Sequence, residues 1–130
     1  MALMKFREPN QVRWQGVRPA HNGTQVWEHK DADNVTIPIY TVPAGQVLYL
    51  CHASLSFLAI AAGGYALFVR DLLDAYYHGF IEGVQIAATD GLFVSDAYCP
   101  PIEVPAGFDI VVWSGAAGLN VRGTIHGWVE

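Results

Sequence analysis

Five histidines, His21, His29, His52, His78 and His126, are the side chains best suited to chemistry in this 130-residue chain. None is spaced His-x-His or His-x-x-x-His, the arrangements that bring two imidazoles onto one metal ion. His78 and Glu82 are four apart and would face one another only on a helix. Ser114 lies in Trp-Ser-Gly-Ala, which is not the Gly-x-Ser-x-Gly elbow of a nucleophilic serine. Asp71 with Asp74, and Asp90 with Asp96, offer the paired acids that glycoside hydrolysis needs. Each pair sits in a turn-like context, where aspartate serves to cap backbone N–H groups. The glycines form neither Gly-x-Gly-x-x-Gly nor a Walker loop. These residues predict no enzyme, no metal site and no cofactor.

Aromatic side chains are the other resource. Trp113 and Trp128, with Tyr65, Tyr76, Tyr77 and Tyr98, would make a sugar-stacking platform if several were exposed together. Packing in the core or in an interface is their commoner use. Trp14 stands among Lys5, Arg7, Arg13 and Arg18, a combination suited to an arm that docks on a partner. Cys51 and Cys99 are too few for a disulfide scaffold and lack metal-type spacing, which predicts two buried thiols.

The elements that must position these groups read as strands. Residues 1–33 are predicted to form an extended N-terminal arm, punctuated early by Pro9, Gly16, Pro19 and Gly23. Residues 34–130 are predicted to form an all-β domain. Val35 to Tyr40 alternates with a proline, as on an edge strand, and Gln46 to Ala53 is apolar on both faces. Tyr65 to Arg70, Phe80 to Ala87, Phe108 to Trp113 and Leu119 to Val129 are further strands. Gly63-Gly64, Asp90-Gly91, Cys99-Pro-Pro101 and Gly115 to Gly118 read as the turns between strands. Asp71 to Glu82 reads as a loop with one helical turn. The 22 residues Leu48–Val69 lack Asp, Glu, Lys and Arg, but the glycine pair and missing basic flanks favour two strands over a membrane span.

A repeat organises the whole. Pro38-Ile-Tyr-Thr-Val-Pro-Ala-Gly45 returns as Pro101-Ile-Glu-Val-Pro-Ala-Gly107. Proline fixes φ and glycine frees the backbone, so Val42, Pro43 and Gly45, like Val104, Pro105 and Gly107, predict rigid corners between strands. Two such corners suit a jelly-roll-like sandwich of about eight strands. In its last strand Val121, Gly123, Ile125, Gly127 and Val129 fall on one face, with the glycines inviting close approach by another sheet or subunit.

Composition bounds the function. The net charge is −5 and the sequence pI about 5.4, which argues against nucleic-acid binding. Charged residues are only 15% of the chain, and residues 34–130 hold two cations, Arg70 and Arg122. So little ionised surface leaves apolar patches for copies or partners to cover. The chain reads as an assembling protein.

Val-Pro-Ala-Gly followed by an apolar strand, and the C-terminal Gly-Thr-Ile-His-Gly-Trp-Val-Glu, resemble small β-sandwich structural proteins of tailed phages. The style is nearest to capsid decoration, or cement, proteins. The resemblance covers residues 34–130. It implies a virion protein, made in the host cytoplasm, that sits on the capsid surface as a homodimer or homotrimer and clamps neighbouring capsid subunits. Its implied partner is the major capsid protein, met through the basic arm, with neither nucleic acid nor membrane involved. The rival expectation is a carbohydrate-binding sandwich of a phage tail or receptor-binding device. That reading requires two aromatics exposed on one face, near polar groups such as Asn120 or Asp96.

Overall fold

Strand periodicity sends alternate residues to opposite faces, and the inward set here is almost wholly aliphatic. The computed structural model describes residues 23–58, 60–85 and 91–130. Through them run β1 (Thr24–Asp33), β2 (Thr36–Thr41), β3 (Leu48–Leu58), β4 (Gly63–Arg70), β5 (Tyr76–Gln85), β6 (Gly91–Val104), β7 (Asp109–Ser114) and β8 (Asn120–Val129). They form two four-stranded antiparallel sheets, ordered β1-β8-β3-β6 and β2-β7-β4-β5. Only the β4–β5 link joins strands of one sheet; every other link crosses between the sheets. That wrapping is a jelly roll. Leu48, Leu50, Leu55, Leu67, Ile110 and Ile125 are fully buried between the layers.

Several details differ from the sequence reading. Residues 24–33 do not belong to an arm: they pair along their whole length with β8 and bury Val26 and Ala32. Apart from Trp27 their other residues are polar, as suits an edge strand with an outward face, and in sequence such a stretch looks like loop. Residues 76–85 form edge strand β5, so His78 and Glu82 lie on an extended chain and do not face as on a helix. Gly63-Gly64 is no hairpin turn, since β3 and β4 lie in opposite sheets. A Cβ at Gly63 would meet Ala116, and one at Gly64 would meet the Trp113 ring, so both glycines serve packing. Cys99-Pro-Pro101 does not end a strand but lies within β6, where the β3 register jumps from Leu50↔Ile102 to His52↔Ala97. An edge strand tolerates prolines because its outer N–H groups need no partner. Cys99 is exposed, while Cys51 is buried.

The close approach expected of the last strand is present at Gly123. A Cβ there would lie 2.8 Å from Ile39 Cδ1 and 3.0 Å from Val112 Cβ, both in the facing sheet. The apolar run from Leu48 to Val69 supplies most of β3 and β4. Among the described residues no helix is long and apolar enough to cross a membrane.

Candidate functional site

The two corners of the repeat meet at one end of the sandwich. Pro43 O accepts from Gln46 N–H at 3.2 Å and Pro105 O from Phe108 N–H at 3.2 Å. Gly45 and Gly107 sit two residues after these carbonyls with φ of +77° and +82°, as type II turns require. The copies also clasp each other: Val42 N–H donates to Phe108 O at 3.0 Å, and Gly107 N–H to Val42 O at 2.8 Å. Val42 and Val104 are buried beneath them.

Beside the second corner projects the β4–β5 turn. The Asp71 carboxylate accepts from Leu73 N–H at 2.8 Å and from Ala75 N–H at 3.0 Å. The backbone closes the same turn, with Asp71 N–H on Ala75 O at 2.9 Å and Asp74 N–H on Asp71 O at 3.0 Å. Asp71 is therefore committed to capping. This pinned frame holds Leu72 and Leu73 out to solvent, 68% and 88% exposed. Leu72 leans over Gly107, where any side chain would strike it. Tyr77, also exposed, meets Phe108 edge to face at 5.0 Å. Between the open edges of β5 and β6 lies a mainly apolar slot of about 230 Å³, lined by Val69, Tyr77, Ile102, Val104 and Pro105 together with His78 and Glu103. Phe80 and Tyr98, with ring centroids 5.8 Å apart, also bridge these edges, and burial with help from Asp96 pushes the Tyr98 hydroxyl up to about 12. Leucines, tyrosine, slot and corner make one apolar surface.

The remaining candidates are dispersed. Lys5, Arg7, Arg13, Trp14 and Arg18 lie outside the described residues. Ser114 is fully buried and structural: its hydroxyl donates to Leu119 O at 2.5 Å and accepts from Asn34 N–H at 3.2 Å. His52 and His126 lie opposite one another on β3 and β8, bound to Ser95 and Gln25 respectively. Among the described residues no group of three or more ligating side chains gathers. Burial, with a contribution from Cys99, pushes the Cys51 thiol up. Of the six aromatics considered for a sugar-stacking platform, Trp128 is buried against Tyr49, Trp113 packs over Gly64 and Gly115, Tyr65 and Tyr98 are partly buried against the core, and only Tyr76 and Tyr77 are exposed.

Leu72 and Leu73 were invisible as a surface in the sequence, because with Tyr76 and Phe80 they fall near helical spacing, which also fits a buried helical face. The signal that separates the two readings is Asp71, a turn former directly ahead of them. No family model and no curated protein matches the chain.

Proposed function

We propose that this chain is a virion structural protein of the capsid decoration type, a non-enzymatic jelly roll that assembles with copies of itself and binds the outer surface of a phage head. The observation that carries the reading is the preformed apolar surface around Leu72, Leu73 and Tyr77, on a body with few charges. Covering either leucine gains about 1.5–3 kcal/mol on full burial. The turn is already ordered by Asp71, so little conformational entropy is lost on docking. Repetition over a shell then multiplies modest contacts into firm attachment.

In this reading the basic residues Lys5, Arg7, Arg13 and Arg18, with Trp14, contact acidic patches on the major capsid protein, while the apolar end joins copies into a dimer or trimer. The decisive experiment mixes the purified protein with shells of the major capsid protein and measures co-sedimentation. Full-length protein is expected to saturate the shells and raise their melting temperature. Deletion of residues 1–20 is expected to abolish sedimentation at equal oligomeric state. Full-length protein that leaves shells bare would remove the capsid from the account; undiminished binding after the deletion would remove the arm.

A further inference from the structure

At the opposite end from the corners, the first sheet presents a different surface. One row crosses all four of its strands: Asp31 on β1, Arg122 on β8, Ser56 on β3 and Phe93 on β6 are successive register partners. Their neighbours in sequence, Ala32, Val121 and Phe57, are buried, so the row lies on the outer face. Arg122 grips Asp31 bidentately, Nε to Oδ1 at 2.7 Å and the terminal amine to Oδ2 at 3.1 Å. Both remain about half exposed, with side-chain accessibilities of 53% and 44%. Phe93, 71% exposed, stands at the end of the row with an open ring. A concavity of about 440 Å³ is lined by Asp31, Ser56, Asn120 and Arg122, with Phe57 and Ile60 as its apolar walls.

We propose that this concavity binds a neutral sugar. A pyranose offers a rim of hydroxyls and an apolar C–H face, and the site answers both. Carboxylate, guanidinium, amide and hydroxyl supply acceptors and donors around the ring, Ile60 supplies an apolar wall, and Phe93, the register partner of Ser56, offers an exposed ring beside the concavity. The volume falls within the range of small-molecule sites. Strand register fixes the backbone from which these groups project, so the site is largely preformed. Charge chooses among ligands: Arg122 is already neutralised by Asp31, and among the described residues no second cation lines the concavity, so a phosphate, sulfate or sialic acid finds no free counter-charge on them. Two rows further along the same face Trp27 is 69% exposed, its ring centroid 4.9 Å from that of His126. An oligosaccharide running along the sheet reaches it as a second stacking platform. The site shares no lining residue with the apolar end and stands independently of the capsid reading.

The test is a titration of the full-length protein with glucose, galactose, mannose and N-acetylglucosamine, and with their linear oligomers. Amide, Arg122 Nε–H and Trp27 indole signals are followed by NMR. Saturable shifts centred on Asn120, Arg122 and Phe93 are expected with at least one sugar, and oligomers are expected to move Trp27 as well. Phe93→Ala, an exposed and non-core change, is expected to weaken the binding about tenfold, and Asn120→Ala by a similar factor. No saturable shift with any neutral sugar overturns the proposal, as does binding that ignores both substitutions. Preference for sialylated or sulfated oligosaccharides run in parallel overturns the neutral class. The oligomeric state of the same samples reports on assembly separately, so the two proposals fail independently.

Discussion

Single residues in this protein are best understood by what they hold in place. Ser114 looks like a nucleophile in a list of side chains and is a staple in the fold, tying the β1–β2 turn to the β7–β8 link. Ser114→Ala leaves Asn34 N–H without this acceptor and the Leu119 C=O, in a fully buried residue, without this donor. The expected loss is about 1–3 kcal/mol in chemical denaturation, with m unchanged. Gly123→Val is expected to cost at least as much, about 1–3 kcal/mol or more, because Ile39, Val112 and Leu67 already fill the space. A calorimetric melt compares both variants with the parent protein. The Asp31–Arg122 pair sets one acid response. Its hydrogen bond from Arg122 holds the Asp31 carboxyl below the ordinary 3.8, so its contribution is fully present above that value and is lost as pH falls through the lower folded value. NMR titration of the Asp31 side chain is expected to give a midpoint under 3.8 that returns to the ordinary value in Arg122→Ala.

Elements were legible where their two faces differ. The alternation in β8 and the aliphatic runs of β3 and β7 identified those strands, because burial between sheets demands it. Edge strands were harder. In β1 only Val26 and Ala32 are buried, so a polar stretch concealed a strand. In β5, where chiefly Ile81 is buried, the strand was read from Phe80 but its first residues, Tyr76 to Gly79, were read as loop. Glycine and proline misled for a related reason. Gly63 and Gly64 make room for Ala116 and Trp113, and Pro100 and Pro101 ride in an edge strand, uses that leave no local mark distinct from a turn. Gly115 to Gly118, by contrast, do form the link between β7 and β8. The row proposed to bind sugar was illegible altogether: Asp31, Arg122, Ser56 and Phe93 are joined only by the register of four strands. At this scale the β4–β5 turn carries its own prediction. Asp71→Ala removes the acceptor for Leu73 and Ala75 N–H groups and frees the leucines to wander. Self-association is expected to weaken several-fold while the thermal midpoint falls by only a few degrees, about what losing a cap costs.

As a whole, the molecule has two unlike ends. Three links gather at one, the two Val-Pro-Ala-Gly corners and the leucine turn; at the other, Asp31, Asn120 and Ile60 surround a polar concavity. An arrangement of this kind suits a protein that is fixed by one end and presents the other. Charge is divided as well. Residues 1–22 carry four cations and one acid, whereas residues 23–130 carry only Lys30, Arg70 and Arg122 against eleven acids. Attachment through the basic segment is therefore expected to weaken steeply between low and high salt, while apolar self-association holds or strengthens. Sedimentation with capsid shells across a salt series separates the two.

The claim on which the account turns is that Leu72, Leu73 and Tyr77 form a self-association surface. Native mass spectrometry at micromolar protein addresses it most directly, with Leu73→Asp as the matched variant, since an 88% exposed side chain tolerates the change without unfolding. The parent chain is predicted to appear as a dimer or trimer, and Leu73→Asp as a folded monomer with unchanged circular dichroism. A parent protein that is monomeric throughout, or an oligomer indifferent to the substitution, contradicts the account.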